Sequence, residues 1–574
     1  MAKFLLGLIA GVVLVFVGIG LLLLLAVHLE NRPPEIADKA VLELRLEGDI
    51  PEKAPLELPA LFGQGGGGLT VAGVWQALRN AAADPRIKAI LLEPEDLSIG
   101  WARLEEMRAD LERFRKSGKP VFAFLRQPGT RDYYVALAAD RIYLGPQEPL
   151  MLKGLRAESM SFKNTLDKLG VNIEVEHAGK YKDFGDMFTR ADMSPETRDV
   201  LNSVVDDLYG NLVNRIAAAR KKSPEEVLAL IDSGPFTAAG ALKAGLVDEL
   251  RFEDEVWSAV SARVGGAPGK VSIGAYAGVP AAAVGLQGKS RIALVVGEGD
   301  IVRGGSGDSG SGETSLTSYG FDKVLSRVAN DSGIKGVIVR IDSPGGEVTA
   351  SDEIWRQMNL LSKKKPTVIS MSDTAASGGY YMAMTGDPIV AYPGTLTGSI
   401  GVVYGKPNLH GLYEKLGVTK NSIERGKHSD IDSDYTPLSP EERALLRQGI
   451  DESYRDFVSK VAAARHRPFE QIEPLAQGRV WLGSQAAARG LVDQLGGLDA
   501  AVDLVKKRAG IPSGERTAIE IYPEPASILD MLLKRSSPED LLESRLASVF
   551  GAMPFHAWMK GGYLRLMPYR VETR

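Results

Sequence analysis

The stretch SDTAASGGYYM, residues 372–382, places one hydroxyl directly before two glycines and two tyrosines. The hydroxyl belongs to Ser377, and an apolar run followed by small residues leads into it. A serine on so tight a corner can be presented as a nucleophile, with backbone N–H groups around it to stabilise an oxyanion. Ser-Gly and Gly-Gly pairs are also ordinary turn material, so the fragment alone does not distinguish a nucleophile from a structural turn.

A second glycine pair stands in DSPGGEV, residues 342–348, directly after an apolar run of the kind that forms buried strands. A loop of this composition can direct backbone N–H groups at an oxyanion. We therefore predict that Gly345, Gly346 and Gly378 support a reaction at Ser377.

A serine nucleophile needs a base, and EHAGKYKDFGDMFTR, residues 176–190, offers two lysines. A lysine acts as a base only when it is neutral, so burial must lower its pKa from about 10.4. Lys180 and Lys182 point to opposite faces if the segment is extended, so only one of them can reach the serine. Asp183 and Asp186 would oppose the loss of charge, and we expect them to point away from the amine.

Two further residues lie in motifs close to these segments. Ser399 in TGSIGV, residues 397–402, either hydrogen-bonds the lysine amine or is ordinary turn material. His428 lies in a charge-rich loop and does not stand out as a base.

The chain contains a duplication. Three pairs of segments recur at an offset of 247 positions and two later pairs at 245: DPRIKAILL and DSGIKGVIV, YYVALAAD and YYMAMTGD, DKLGV and EKLGV, MSPETR and LSPEER, and AGLVDEL and RGLVDQL. A nearly constant offset over this length indicates two copies of one domain. We predict copy one at residues 40–265 and copy two at 291–510, with a linker at 266–290 and a C-terminal extension at 511–574.

The two copies keep complementary parts of the candidate site. Ser377 has no serine counterpart in copy one, and the glycine pair of DSPGGEV is missing there too. Lys180 is kept in copy two as Lys427, whereas Lys182 is replaced by Ser429. This pattern favours Lys182 as the base and predicts one active site to which both copies contribute.

Each copy has the sequence pattern of an α/β fold. Short runs rich in β-branched residues, such as IKGVIVRID and PTVISMS, alternate with stretches of helical spacing, such as TASDEIWRQMNLLSKKK. Such runs are typical of strands that are buried on both faces. The alternation predicts a mainly parallel sheet with crossover helices in each copy.

The N-terminal run FLLGLIAGVVLVFVGIGLLLLLAV, residues 4–27, contains no charged residue. As a helix this run would extend for about 36 Å, enough for a bilayer core of about 30 Å. The AVHLEN that follows is a poor cleavage site, so we predict that residues 1–29 form an uncleaved transmembrane anchor. Lys3 on the cytoplasmic side predicts that the bulk of the chain is exported.

The composition excludes several kinds of site. The 574 residues include no cysteine, which rules out disulfides, thiolate catalysis and cysteine-bound metals. The net charge of −5 comes from well-mixed acids and bases, without the clustered basic face of a nucleic-acid-binding protein. The six histidines include no pair with the spacing of a helical metal site. We predict no cofactor, no metal and no nucleic-acid partner.

The motifs DSPGG, ASGGYY, TGSIGV and GKYKDFGDMFTR, together with the duplication and the anchor, resemble the long, duplicated form of the signal peptide peptidase A (protease IV) family. The resemblance covers nearly the whole chain. It implies a Clp-protease/crotonase-like fold for each copy, with Ser377 as nucleophile and Lys182 as general base. It also implies a bowl-shaped homotetramer on the periplasmic side of the cell inner membrane, held by a single pass and acting on peptides that include signal-peptide remnants.

Three functions remain open from the sequence. The leading one is a membrane-anchored serine endopeptidase that forms an acyl-enzyme through a Ser–Lys dyad. A crotonase-type acyl-CoA enzyme would use the same paired backbone N–H groups, but it would rely on carboxylates or CoA contacts and could dispense with Ser377. The third is an assembly scaffold with a vestigial dyad and no enzymatic activity.

Overall fold

The computed structural model describes residues 36–53, 69–304, 315–524 and 562–567, together with the isolated positions 11 and 18. The predicted transmembrane anchor, residues 1–29, therefore lies outside the described residues at all but two positions. Among the described residues, no helix combines the length and the apolar character needed to cross a bilayer.

Strands and helices alternate along both copies. The strands are β1 (Ala40–Glu47), β2 (Ile87–Glu95), β3 (Val121–Leu125), β4 (Arg141–Leu144), β5 (Asn172–Ala178), β6 (Glu249–Leu250), β7 (Gly269–Ser272), β8 (Ser290–Glu298), β9 (Asp300–Val302), β10 (Ser315–Thr317), β11 (Ile334–Ser343), β12 (Gly345–Glu347), β13 (Thr367–Ala376), β14 (Ile389–Ala391), β15 (Leu396–Gly398), β16 (Val402–Asn408), β17 (Val480–Leu482), β18 (Gln494–Leu495), β19 (Thr517–Tyr522) and β20 (Gly562–Leu566). The α-helices of copy one and the stretch after it are Val71–Ala83, Trp101–Arg115, Thr130–Ala136, Lys163–Leu169, Asp186–Thr189, Pro195–Arg220, Pro224–Ser233, Ala238–Lys243, Glu253–Val264 and Ile273–Ala277. Those of copy two are Ser318–Asn330, Val348–Lys364, Gly378–Met382, His410–Leu416, Pro440–Ala464, Phe469–Ile472, Gly483–Ala488 and Leu498–Arg508.

Copy one is built on a six-stranded sheet in the order β6-β4-β3-β2-β1-β7, and every pairing in it is parallel. β3 has the sequence VFAFL and is buried at each position, as expected of a strand covered on both faces. Helix Glu253–Val264 packs on one face, and the larger core that includes helix Trp101–Arg115 lies on the other. Because β7 joins this sheet, the ordered part of copy one continues into the stretch predicted as a linker, residues 266–290.

Copy two is built on an eight-stranded sheet in the order β17-β15-β13-β11-β8-β19, with β14 and β18 attached beside β13. Its pairings are parallel apart from the antiparallel β15–β17 pair. The prediction of a mainly parallel sheet in each copy is therefore confirmed. β19 comes from the predicted C-terminal extension, residues 511–574, so part of that extension belongs to the sheet of copy two.

A third sheet joins the two copies, in the order β10-β9-β12-β20-β16-β5. In it β5 of copy one runs antiparallel to β16 of copy two, from Asn172 opposite Asn408 to Ala178 opposite Val402. The loop that carries Lys182 follows β5, and Ser399 precedes β16. This pairing therefore brings segments from the two copies together at one end of the shared sheet.

The repeated motifs MSPETR and LSPEER begin the long helix of each copy. Ser194 caps helix Pro195–Arg220 and Ser439 caps helix Pro440–Ala464, each accepting a backbone N–H three residues further on, at 3.1 and 3.2 Å. Proline at the first helical position presets φ for the helix. A serine cap contributes about 1 kcal/mol, which gives the shared motif a structural role in both copies.

Buried ion pairs also cross between the copies. Arg340 of β11 is 1% exposed and lies 2.7 Å from Glu52 of copy one. Arg103 of copy one pairs with Asp342 and, at 3.2 Å, with Asp373 of copy two. Burial alone would lower the pKa of Arg103, but these carboxylates raise it well above the ordinary arginine value. Removing one partner of such a buried pair costs about 3–5 kcal/mol, so the network holds the copies in one arrangement.

Candidate active site

Ser377 stands at a sharp turn between β13 and the helix Gly378–Met382. Its backbone has φ 53° and ψ −113°, a conformation that costs a non-glycine residue about 1–3 kcal/mol. Its N–H donates to the carbonyl oxygen of Gly398 at 2.8 Å, which holds the turn against β15. A Cβ on Gly379 would lie 2.6 Å from the carbonyl oxygen of Ser343, so the turn has no room for a larger residue there.

Lys182 extends from copy one into copy two, and its side chain is completely buried. Its Nζ lies 2.8 Å from Oγ of Ser377, 2.9 Å from Oγ of Ser399 and 3.0 Å from the carbonyl oxygen of Ser399. An ammonium at this position would donate to all three oxygens, whereas a neutral amine would donate to the two oxygens of Ser399 and accept the hydroxyl proton of Ser377. Complete removal from water penalises the charged ammonium form and favours this neutral one.

The other sequence candidates for the base have different surroundings. The side chain of Lys180 is 62% exposed, and its Nζ lies 3.6 Å from Glu196. The ring of His428 is 31% exposed, and its Nδ1 lies 3.8 Å from Glu442.

Asp183 follows the lysine directly in the sequence and is buried. Its carboxylate accepts a hydrogen bond from the hydroxyl of Thr197, at the start of helix Pro195–Arg220. Burial raises the pKa of Asp183 to about 6. Asp186 begins a short helix instead, and its side chain is 30% exposed.

The DSPGG loop lies against the serine turn. Gly345 has φ 109°, and its N–H donates to Oγ of Ser343 at 3.2 Å. A Cβ on Gly378 would lie 3.1 Å from both Cα of Gly345 and the backbone nitrogen of Gly346, so the two glycine segments touch. The N–H groups of Gly346 and Gly378 are the candidate oxyanion donors, and Gly346 lies opposite Arg565 of β20 in the shared sheet.

A third segment, Gln477–Arg479, links the lysine loop to the Ser399 turn, and the sequence reasoning missed it. Its backbone accepts the N–H of Tyr181 at 2.7 Å on one side. On the other side it accepts the N–H of Ser399 at 2.8 Å and donates to the carbonyl oxygen of Ile400 at 2.8 Å. These three bonds tie the loop of copy one to copy two directly beside the buried amine. We call this segment the strap.

The strap requires a glycine at its centre. Gly478 has φ +75°, and a Cβ there would lie 2.6 Å from the backbone nitrogen of Lys182. At the offset of 245, the glycine and the glutamine before it fall on Ser233 and Asp232. Comparing the copies just upstream of AGLVDEL and RGLVDQL would therefore have shown a second local asymmetry.

Together these groups have the composition of an acyl-transfer site. A hydroxyl on a strained turn is 2.8 Å from a buried amine, and two backbone N–H groups stand beside it. A serine nucleophile, a neutral lysine base and paired oxyanion donors suffice for attack on a carbonyl group.

Comparison with known proteins gives matches over both copies. The sequence profile described as Peptidase family S49 matches residues 113–265 and 359–512, and the profile described as Clp protease matches residues 322–395. The chain is 36% identical over 500 residues to "Serine protease SPPA, chloroplastic" of Arabidopsis thaliana, an alignment that covers 86% of this chain and 73% of that protein. It is 32% identical over 475 residues to "Protease 4" of Salmonella typhi, covering 80% of this chain and 74% of that protein. It is 30% identical over 496 residues to "Protease 4" of Haemophilus influenzae, covering 81% and 78%.

Proposed function

This chain belongs to peptidase family S49 and is a serine peptidase with tandem Clp-protease-like α/β repeats, and from that premise we propose that it cleaves peptides through a Ser377–Lys182 dyad. The observation that carries the proposal is the 2.8 Å separation between Nζ of Lys182 and Oγ of Ser377, across the boundary between the copies. Neither copy alone holds both groups.

The proposed reaction begins with Lys182 in its neutral form. As Oγ of Ser377 attacks the scissile carbonyl carbon, its proton passes to Nζ, and the N–H groups of Gly346 and Gly378 stabilise the oxyanion. The ammonium then protonates the leaving amine, which departs and leaves an acyl-enzyme. Water attacks this ester while Nζ again accepts a proton, and Ser377 is regenerated. Ser399 keeps the amine aimed at the hydroxyl through its two oxygens.

We further propose that residues 1–29 anchor the enzyme in the cell inner membrane by a single pass, with the peptidase repeats on the periplasmic side. The uncharged run at residues 4–27 supports the anchor, and the single lysine before it supports the orientation. An enzyme held at this surface encounters peptides released in or near the bilayer, so we propose signal-peptide remnants as one substrate class.

The proposed homotetramer is supported by the segments that correspond to β5 and β16 in the other copy, which do not form the equivalent pair of strands. At the offset of 247, β5 corresponds to residues 419–425 and β16 to residues 155–161, and neither segment is a strand in this chain, although Ala157 forms an isolated β-bridge. Ile423 is 90% exposed and Met160 is 65% exposed. If residues 419–425 of one chain pair with residues 155–161 of the next, the contact is head to tail, and a fourfold rotation between neighbours would close it into a tetrameric ring.

Trapping of the acyl-enzyme tests the proposed mechanism. The detergent-solubilised full chain is treated with a fluorophosphonate, digested and mapped by mass spectrometry. We expect one adduct at Ser377 and no adduct in Ser377→Ala, with hydrolysis of a fluorogenic peptide lost in parallel. Persistent peptide hydrolysis by Ser377→Ala would contradict the dyad. Acyl-CoA turnover without an adduct would favour the crotonase alternative, and a chain with neither activity nor adduct would favour the scaffold.

A further inference from the structure

The strand β20 comes from the C-terminal extension and lies between two strands of copy two. It runs antiparallel to β12, with Leu564 opposite Glu347 and Leu566 opposite Gly345. On its other side it runs antiparallel to β16, with Leu564 opposite Val403. Both edges of this short segment are therefore hydrogen-bonded.

The strand β12 lies between this segment and the turn that carries Ser377. β12 contains the glycines of the DSPGG loop, which touches the Ser377 turn, and the N–H of Met567 donates to the carbonyl oxygen of Pro344 at 2.9 Å. The side chain of Ser377 is completely buried, although a nucleophile must be reached by its substrate. The backbone of residues 562–567 therefore occupies space directly beside the candidate oxyanion donors.

Leu564 anchors the segment in an apolar cluster built mainly from copy one. Leu564 is 2% exposed, and its cluster contains Ile173, Phe188 and Val403. Partly buried side chains pack against this cluster, among them Phe162, Leu166, Val175, Phe184 and Met187. The cluster includes residues of β5 and residues that follow Lys182 in the chain. Leu564 is therefore held mainly by the copy that carries the candidate base.

Without this segment, β12 and β16 would present two facing edges with a gap of two strand spacings, about 9–10 Å. An extended peptide fits such a gap by adding as a strand, with backbone bonds on both sides and alternate side chains in pockets. We propose that Gly562–Met567 fills the peptide-binding slot of the active site as an internal stand-in for substrate, with Leu564 in an apolar subsite. The proposal rests on the proposed function, and it implies that an external peptide binds only when the segment leaves.

Binding to a chain that lacks the segment tests this inference. Two shortened chains are compared, one ending at Gly561 and one ending at Met567, both carrying Ser377→Ala so that no bound peptide is cleaved. The probe is a fluorescently labelled peptide of sequence GYLRLM, and the readout is fluorescence anisotropy. We expect the chain ending at Gly561 to bind the probe at least about tenfold more tightly, because nothing competes for the slot.

A second probe, GYDRLM, places an aspartate where Leu564 lies. We expect it to bind the chain ending at Gly561 at least about tenfold more weakly than GYLRLM, since burying a leucine contributes about 1.5–3 kcal/mol. If the chain ending at Gly561 does not fold, Leu564→Asp in the full chain replaces it, and we expect the same gain in binding. Leu242→Asp is its matched control, because Leu242 is an exposed leucine in copy one and its replacement leaves probe binding unchanged.

Equal binding of GYLRLM to both chains, or binding to neither, would overturn the inference. So would equal binding of the two probes. These outcomes do not depend on the chemistry of Ser377, because the probe is only bound. Failure of the dyad would appear instead as peptide hydrolysis by Ser377→Ala in the otherwise intact chain, so the two failures are distinguishable.

Discussion

The two copies share a fold and differ at the residues of the candidate active site. Ser377 on its strained turn corresponds to Thr130 at the start of a helix, and Ser399 corresponds to Leu152. In the other direction, buried Lys182 corresponds to exposed Ser429. Each copy keeps the sheet and helices that position a site, but copy two holds only Ser377 of the proposed dyad and copy one only Lys182. The complete set of candidate residues therefore lies across the boundary between the copies, and the equivalent positions hold Thr130, Leu152 and Ser429.

The β5–β16 junction also differs from its counterpart, which consists of residues 419–425 and 155–161. β5 and β16 are paired, and Glu176 of β5 is bonded to Arg443 and, at 2.7 Å, to Arg447 of copy two. At the equivalent position to Glu176, copy two has Ile423, which is almost fully exposed. A paired junction thus carries charge complementarity, whereas its unpaired counterpart leaves an apolar side chain in water. This contrast predicts which changes affect chemistry and which affect assembly.

The largest expected effect comes from removing the hydroxyl that only copy two presents. Ser377→Ala should reduce kcat/KM for a fluorogenic peptide by at least about 10³-fold, because the acyl-enzyme cannot form. The equivalent change in copy one, Thr130→Ala, should leave kcat/KM within about twofold. Both are measured on the solubilised full chain, with melting temperatures to verify folding. Similar losses in the two variants would show that the asymmetry between copies does not determine catalysis.

The next effect concerns the base. Lys182→Arg should be as inactive as Lys182→Ala, because guanidinium cannot be deprotonated at a workable pH. The neighbouring change Lys180→Ala should keep most of the activity, since that side chain points to solvent. In the unmodified enzyme, kcat/KM should rise with pH as the amine loses its proton, because the neutral form accepts the serine proton. An active Lys182→Arg enzyme would exclude this lysine as the base.

A substitution in the strap should have a smaller effect, which acts through the position of the Lys182 amine. In Gly478→Ala the new Cβ would lie 2.6 Å from the backbone nitrogen of Lys182, so the lysine loop must shift. We expect kcat to fall about 10²-fold with KM nearly unchanged, as a displacement of about 1 Å in reacting groups produces. The matched change Ser233→Ala in copy one should have no effect on either constant. Equal kinetics for the two variants would mean that the strap does not position the amine.

Much of the fold was predictable because its signals are local. Strands buried on both faces leave continuous apolar runs, such as IKGVIVRID in β11, and the constant offset of 247 showed the duplication and the asymmetry of Ser377 and Lys182. These inferences needed only neighbouring residues and a comparison between copies. Lys180 and Lys182 have different surroundings, but the segment forms a turn, in which the N–H of Lys182 donates to the carbonyl oxygen of Gly179 at 3.1 Å, and not the extended stretch on which the prediction of opposite faces depended.

What the sequence did not reveal depends on contacts between distant segments. The strap contacts the lysine loop through the backbone bond to Tyr181, through the amide oxygen of Gln477, which accepts the N–H of Lys180 at 3.1 Å, and through Arg479, whose guanidinium lies 4.9 Å from the ring centre of Tyr181. Glutamine and arginine are common surface residues, so neither residue type marks the segment in the sequence. β20 has no counterpart in copy one, and a short run such as GYLRL has no periodicity that assigns it to a sheet between β12 and β16. The linker prediction at 266–290 missed β7 because a four-residue edge strand gives too little pattern.

A substitution in residues 419–425, which correspond to β5, should weaken subunit assembly without a comparable loss of peptidase activity. Ile423→Asp places a charge on the exposed segment 419–425, and we expect the proposed homotetramer to dissociate into smaller species in native mass spectrometry. Activity per chain should stay within about threefold, because both dyad residues belong to one chain. Leu228→Asp, at a leucine that is 39% exposed elsewhere in copy one, is the control and should leave the mass unchanged. An unchanged mass for Ile423→Asp would place the subunit contact on another surface.

The smallest expected effect concerns an aspartate that both copies have at equivalent positions but in different surroundings. Asp183 and Asp430 occupy equivalent positions, but Asp183 is 8% exposed whereas Asp430 is half-buried. Burial raises the pKa of Asp183 to about 6, above the value of about 3.9 expected in an unfolded chain. The folded protein therefore binds this proton more tightly than the unfolded chain does. The resulting contribution to stability is complete below about pH 4 and is lost as the pH rises through about 6.

Asp183→Asn removes this titration while it keeps an oxygen that can accept the hydroxyl of Thr197. The free energy of unfolding of Asp183→Asn, relative to the unmodified chain, should therefore increase by about 2–3 kcal/mol between about pH 4 and pH 7. Urea titrations at three pH values across this window measure this difference. A flat curve for Asp183→Asn would mean that burial does not raise the pKa of this carboxylate above its value in the unfolded chain.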